Sequence, residues 1–444
     1  MALPSFSYPK REIAAPGSDV KSLAQQSVKR RPIRVLMLTY SFYETDTRVQ
    51  QYASALVKRG DIVDVIALRR QGSPAFEVLE GVNVYRIQKR RRNEKNPLAY
   101  LFKMLLFLLR SAISLTRKHL SRPYGLIHVH NVPDFLVYAA LIPKLTGTPV
   151  ILDIHDILPE FCASKLNLKP NSLVFRLMIM IERVSTSFSD HVIIANHIWH
   201  ERITSRSVRR ERCTPILNAP SPLFYSRHQK TGPNGKFIVI YPGTLNWHQG
   251  LDIAIRAFAR ITDQTPDAEF HIYGEGPSKD SLKCLITLLG LKEKVLLKDW
   301  VSSDEIARVM GEANVGVVPK RASSFGSEAD STKIMEFMAL GVPVIVPNVK
   351  ISTSYHDATR VRFFQAEDDA DLAQCILDLR RDPHVREKLV ENAWSFARQN
   401  SWTVKGKEYL DLVDALVPVP ESVDKKMVTH PDIQKAIKDT CGKK

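Results

Sequence analysis

Ile33-Arg34-Val35-Leu36-Met37-Leu38 is apolar except for one arginine, Thr47–Arg59 follows with helical spacing, Gly60 stops it, and Ile62–Leu68 turns apolar again. A strand, a helix, a glycine stop and a second strand in that order predict a βαβ unit. Its strands are buried on both faces and so lose the in-out alternation of an exposed sheet. Outward from this unit the same alternation continues: Leu126–His130 (strand), Phe135–Leu145 (helix), Val150–Ile154 (strand), Leu173–Ser189 (helix) and Val192–Ala195 (strand). A polar stretch carrying Pro and Gly, from Pro220 to Gly235, interrupts the pattern. A second set then follows: Phe237–Tyr241, Glu269–Tyr273, Val295–Lys298, Val315–Val318 and Val342–Pro347 as strands, with helices at Leu251–Ile261 and Lys279–Leu289.

These segments predict an α/β protein of two doubly wound, Rossmann-like domains facing each other across a cleft, where ligands prefer to bind. The expected divisions are a flexible tail at 1–32, a first domain at 33–225, a linker at 226–235, a second domain at 236–400, a crossing helix at 401–417 and a polar tail at 418–444.

The 444 residues, 44% of them hydrophobic and 25% charged, suit two or three globular domains and exclude a disordered or fibrous chain. Cys162, Cys213, Cys284, Cys375 and Cys441 are scattered and never form a C-x-x-C pair. That pattern argues against a disulfide framework or a zinc site and predicts a cytoplasmic protein. No apolar core of a signal peptide stands in the first 32 residues. The net charge of +16 is concentrated: residues 85–122 carry eleven basic side chains against Glu94 alone. Lys89-Arg90-Arg91-Arg92 precedes an apolar stretch, Leu98 to Thr116, which Lys103 and Arg110 interrupt. Uninterrupted runs of that length fall short of the roughly 18–20 residues a span requires, which predicts an interfacial anchor on an anionic membrane surface, peripheral on the inner face. The alternative is a domain helix whose basic side chains reach past their apolar stems to solvent.

Common nucleotide fingerprints are missing. There is no G-x-x-x-x-G-K-[ST], and Gly274-Glu275-Gly276-Pro277 lacks the third glycine of a dinucleotide loop, so it reads as a tight turn. Asp369-Ala370-Asp371 is formally a D-x-D pair, but its place at a helix start suits capping better than metal binding. No metal ligand set is expected, and no resident cofactor.

The stretch richest in chemistry is Phe325-Gly326-Ser327-Glu328-Ala329-Asp330-Ser331-Thr332-Lys333-Ile334-Met335-Glu336-Phe337-Met338-Ala339-Leu340-Gly341-Val342-Pro343. A helix is predicted to start at Asp330 or Ser331, placing Glu336 among apolar neighbours, where a carboxylate is costly without a partner. The helix start offers backbone N–H groups to an anion, and Lys333 adds a cation. The alternative is two unrelated surface glutamates.

In this stretch the chain resembles the family 4 retaining glycosyltransferases of GT-B fold, whose E-x7-E element ends in a helix, Gly-x-Pro and a strand. Tyr241-Pro242-Gly243-Thr244-Leu245 through Gln249-Gly250-Leu251-Asp252 is similar to the family's first donor-domain loop, and Ile272-Tyr273-Gly274-Glu275-Gly276-Pro277 to its second. Asp153-Ile154-His155-Asp156 is similar to its acceptor-domain histidine motif, and Asp46-Thr47-Arg48 to a variant of its first loop.

The resemblance implies roles. Glu336 would hold the nucleotide ribose hydroxyls, Glu328 would touch the transferred sugar, and His155 would contact that sugar from across the cleft. Thr332 and Lys333 would face the diphosphate with their backbone amides. Asp46, Arg48 and Gly243 would line the substrate site. Where the family usually has a diphosphate-binding Arg and Lys, this chain has Thr244 and Gln249, leaving Lys333, Lys320 and Arg321 as local substitutes. For Lys320 and Arg321 the alternative is that both are merely solvated. The implied activity is metal-independent, retaining transfer from a nucleotide-sugar donor to a glycan or polyprenyl-linked acceptor, in cell-surface polysaccharide assembly. A nucleotide-sugar 2-epimerase of the same fold is one alternative. A non-catalytic basic protein binding membrane or nucleic acid is another, although no nucleic-acid partner is expected.

Overall fold

The computed structural model describes residues 31–90, 97–166, 169, 172–225, 235–322 and 328–417, with residues 97–98 and 164–166 described through their backbone alone. The expected tails and the 226–235 linker therefore lie outside the described residues, apart from residues 31, 32 and 235. So do Arg91 and Arg92 of the basic run.

The first lobe carries an eight-stranded sheet of order β3-β4-β2-β1-β5-β6-β7-β8. Its strands are β1 (Arg34–Thr39), β2 (Ile62–Arg69), β3 (Phe76–Leu79), β4 (Val82–Lys89), β5 (Leu126–His130), β6 (Val150–Ile154), β7 (His191–Ile194) and β8 (Cys213–Pro215). Every pairing is parallel except β3 with β4. Among the described residues six α-helices accompany it: α1 (Thr47–Arg59), α2 (Pro97–Ser121), α3 (Leu141–Leu145), α4 (Leu158–Leu166), α5 (Leu173–Phe188) and α6 (His197–Thr204).

The second lobe has a six-stranded, all-parallel sheet of order β11-β10-β9-β12-β13-β14. These are β9 (Phe237–Pro242), β10 (Ala268–Tyr273), β11 (Val295–Lys298), β12 (Val315–Val317), β13 (Val344–Pro347) and β14 (Arg362–Phe364). Around it lie α7 (Leu251–Ile261), α8 (Lys279–Leu288), α9 (Ser303–Gly311), α10 (Thr332–Leu340), α11 (Lys350–Tyr355), α12 (Asp369–Arg381) and α13 (Pro383–Gln399). The last helix, α14 (Trp402–Leu416), returns to the first lobe, where Tyr409 and Val413 join the core built on Val35, Val49 and Tyr52.

Where the expected boundaries moved, backbone chemistry explains it. Phe135–Leu145 is not one helix: Asp134–Ala140 is 3-10 and α3 begins only at Leu141. Pro143 lacks an N–H, so it fits only in the first turn of a helix, where that donor has no partner anyway. β13 starts at Val344 and not Val342, because Gly341 closes α10 in the left-handed conformation while its N–H and that of Val342 bond back to Met338 and Phe337. The β3–β4 hairpin was not expected. Its two-residue turn puts Glu80 at φ 49° and Gly81 at φ 81°, the paired positive angles that match the twist of the strands.

Asp371 belongs to a cap region, as expected: Asp368 caps α12, Asp369 pairs with Arg260 at 2.8 Å, and Asp371 accepts from the Gln365 amide at 2.5 Å.

Beneath the first lobe's strand ends lies a buried polar knot. Arg48 donates from Nε and Nη2 to the two Asp153 oxygens at 2.8 and 2.7 Å, and from Nη1 to Ile216 O and Asn218 Oδ1. His130 Nδ1 is 3.0 Å from Asp153 Oδ2, and His128 Nδ1 is 3.0 Å from the Tyr409 hydroxyl of α14. His128, His130 and Asp153 are close enough to share a metal ion, but Arg48 and His130 already take the carboxylate oxygens. Burial pushes Asp153 up, yet Arg48 and His130 outweigh it and hold the carboxyl well below its ordinary value.

Two buried histidines make stability depend on pH. Burial, then the nearby His130, holds His128 well below the ordinary 6.5. Burial, then Arg212, pushes His191 down to about 4. Between those depressed values and 6.5 the unfolded chain binds protons that the native state does not, so stability falls as pH drops. Urea melts at several pH values are expected to lose up to about 1.4 kcal/mol per pH unit per histidine below pH 6.5. His191→Gln should flatten the slope between pH 6.5 and 4, and an unchanged slope would contradict the assignment.

Candidate active site

A cavity of about 290 Å³ opens between the lobes. Asp46, Arg48 and His155 line it from the first lobe, and Thr332 and Glu336 from the second.

The first-lobe side stands on strand ends. Asp46 caps α1, accepting from the Val49 amide at 3.3 Å, and takes a Ser41 hydroxyl bond at 2.6 Å. His155 follows β6, and its loop is held by Asn131, whose Oδ1 accepts from the His155 amide at 3.1 Å while its Nδ2 donates to Asp156 O at 2.6 Å. The His155 Nδ1 is buried and has no hydrogen-bond partner among the described residues. Arg48 reaches the cavity wall, but its donors are taken inside the lobe, which makes it a support of the site more than a free cation.

The second-lobe side is built on α10, which begins at Thr332 with Ser331 as its N-cap, next to the expected start. Thr332 and Lys333 are its first two residues, so their amides have no partner within the helix and face outward with the positive end of the helix dipole. Glu336 stands one turn further. Burial raises its carboxyl pKa, while Lys333 and the Thr332 hydroxyl pull it back down. Burial likewise lowers Lys333, with Glu336 opposing. Lys333 lies directly over Gly243, which adopts φ 140°, and a Cβ at that position would run into the lysine Cε. The close approach and the positive φ both demand glycine.

Lys320 donates to Ala329 O at 2.9 Å, and burial followed by repulsion from Lys333 pushes it down to about 8. The two lysines therefore form one basic spot at the start of α10. Arg321 lies elsewhere: its guanidinium holds Asp252 and Glu367 at 2.6 Å each and stacks on Trp247. Thr244 is exposed, and Gln249 is buried with its Oε1 lacking a partner among the described residues.

Glu328 does not line the cavity, although Ala329 and Asp330 beside it do. Its carboxylate is held by Arg202 of α6 through two bonds, 2.5 and 2.6 Å, and its carbonyl accepts from Asn196 at 3.2 Å. Arg202 continues a chain of alternating charge: Glu160 lies 3.8 Å away, Arg206 binds Glu160 at 2.5 Å, and Glu182 binds Arg206 at 2.6 Å. Sequence reading did not single out Arg202 or Asn131. Asn196 carried a signal, as a capping residue immediately after a strand and before α6.

Comparison with known proteins supplies the rest. The profile described as Glycosyl transferases group 1 matches residues 226–396, and that of the Glycosyl transferase 4-like domain matches residues 45–219. An alpha-D-kanosaminyltransferase of Streptomyces kanamyceticus is 25% identical over 310 residues, covering 65% of this chain and 75% of that protein. The sucrose-phosphate synthase structure from Thermosynechococcus elongatus superposes with a TM-score of 0.71 at 18% identity, over 86% of this chain and 99% of that one. The Anabaena HepE structure with UDP and glucose gives 0.66 at 17%, over 86% and 100%. With one profile on each lobe and the same two-lobed architecture in those structures, the chain is similar to these glycosyltransferases in sequence and has the GT-B fold.

Proposed function

We propose that the protein moves a sugar from a nucleoside diphosphate sugar to a glycan or polyprenyl-linked acceptor in cell-surface polysaccharide assembly, retaining the anomeric configuration and using no metal. The observation that carries this reading is the start of α10, where Thr332, Lys333 and Glu336 converge with Gly243 opposite His155. A diphosphate leaving group fits outward-facing amides beside two lysines, and a ribose fits a carboxylate one turn away. UDP in the Anabaena structure supports a nucleotide of this kind. In the step envisaged, the bond from the sugar C1 to the diphosphate oxygen breaks. The acceptor hydroxyl bonds to C1 on the same face, and its proton passes to the departing phosphate oxygen.

Glu336→Gln tests the donor side. The amide keeps half the acceptor capacity of the carboxylate, and a hydrogen bond to a charged group is worth about 1.5–3 kcal/mol. Titration calorimetry with UDP is expected to show a loss of roughly 10- to 100-fold. Unchanged affinity would refute the ribose role.

The reading also places the enzyme on the inner face of an anionic membrane. Helix α2 is long and apolar enough by length and composition to cross a bilayer, but Met104, Phe107 and Leu115 commit one side of it to the lobe core. Its outward side carries Leu101, Leu105, Leu109 and Ile113 together with Arg110 and Arg117, while Lys103 is half-buried. Helix α5 is reversed in polarity. It buries Glu182, Ser185 and Thr186 and exposes Leu173, Leu177, Met180 and Val184. Apolar side chains mixed with arginine suit an anionic interface. Leu177→Glu with Met180→Glu is expected to abolish flotation with phosphatidylglycerol vesicles, and flotation equal to wild type would contradict this placement.

A further inference from the structure

We propose that a second, basic pocket beside the cleft binds the phosphate group of an acceptor that carries an apolar chain, an inference that rests on reading the cleft as a glycosyl-transfer site. The pocket encloses about 740 Å³ and is lined by Arg70, Lys89, Arg90 and Lys103 with Phe42 of the first lobe and Trp300 of the second. Among the described residues no Asp or Glu lines it.

Its cations differ from the ion-paired arginines of this lobe. Arg86 is held by Glu44 and Glu77, Arg59 by Asp61 and Asp414, and Arg206 by Glu160 and Glu182. Arg70 and Arg90 instead rest on aromatic faces: Arg70 on Phe42 at 5.0 Å, Arg90 on Tyr40 and Tyr100 at 5.1 and 5.0 Å. Among the described residues neither arginine, nor Lys89, is in an ion pair. Arg70, Arg90 and Lys89 repel one another where no described acidic group pairs with them, and an anion that enters is stabilised by all three at once. Guanidinium groups fixed in place by aromatic stacking present paired N–H donors, the geometry that phosphate oxygens accept.

Position supplies the link to the reaction. Phe42 and Asp46 flank the single turn Tyr43–Thr45, so one short loop has one end in this pocket and the other in the candidate site. Trp300 is 60% exposed and offers a flat face on which a sugar ring can lie. The apolar part of the acceptor has a path as well. Lys103 belongs to α2, where neighbouring Phe102 is 66% exposed and leads onto the outward Leu105 and Leu109. An anionic headgroup in the pocket, a sugar reaching the cleft and a chain lying along α2 together describe a lipid phosphate or diphosphate sugar.

Equilibrium dialysis of the full-length protein with tritiated farnesyl diphosphate tests this, with inorganic diphosphate as the chain-free probe. Wild type is expected to bind farnesyl diphosphate at least tenfold more tightly than inorganic diphosphate. Arg70→Gln with Lys89→Gln should weaken farnesyl diphosphate at least tenfold and leave UDP affinity unchanged, while Glu336→Gln should do the reverse. Wild-type affinity for farnesyl diphosphate in the double variant would overturn the pocket assignment. Equal binding of the two probes would overturn the apolar chain and leave a free-phosphate site. If wild type failed to bind UDP, the donor reading would fall by itself, and the response of the double variant would still decide the pocket.

Discussion

Glu328→Ala is expected to lower the turnover number for sugar transfer by about 10²–10³-fold while UDP affinity stays near that of wild type. Glu328 stands outside the cavity lining, so this result tests its proposed role at the sugar: a group acting where charge develops there contributes to the rate of the step and little to nucleotide binding. Arg202 makes the prediction sharper. Its two bonds to the Glu328 carboxylate fix that side chain from the opposite lobe. Arg202→Met should therefore also reduce turnover with little change in UDP affinity, and Arg202→Lys should restore part of the loss. Steady-state kinetics together with calorimetry separate the two quantities. An equal fall in turnover and nucleotide affinity for Glu328→Ala would show that this residue does not act at the sugar.

The second large effect concerns stability. Arg48→Met is expected to destabilise the protein by about 3–5 kcal/mol in urea denaturation, because it leaves the fully buried Asp153 charge without its main partner. Adding Asp153→Asn to that variant should recover a substantial part of the loss, since the amide no longer requires a counter-charge. If Arg48→Met were neutral for stability but abolished nucleotide-sugar turnover, Arg48 would be a ligand of the substrate and not a pillar of the lobe.

That contrast shows what the sequence could and could not convey. Parallel strands such as β1, β2, β9 and β10 are legible because burial on both faces leaves an apolar run that few other structures produce. The cap of α10 and the stop at Gly341 are legible too, since both are local backbone chemistry. Arg48 next to a short polar loop looks like a ligand because its partner, Asp153, stands 105 residues away. Arg321 is similar: Asp252 and Glu367 are distant in sequence, and only the fold joins them. The reversed polarity of α5 hides in its pattern, because an amphipathic helix has the same periodicity whichever side faces inward. The cross-lobe pair of Arg202 with Glu328 leaves no local trace in either segment.

The proposed reaction in this cleft is transfer of sugar from a nucleotide donor to an acceptor. Its most direct test is incubation with a panel of tritiated nucleotide sugars, with and without membrane lipid extract. One donor is expected to be consumed only when extract is present, with label passing into the organic phase and nucleoside diphosphate released in equal amount. Release of free sugar and nucleoside diphosphate at the same rate without extract, or consumption of no donor at all, would contradict it.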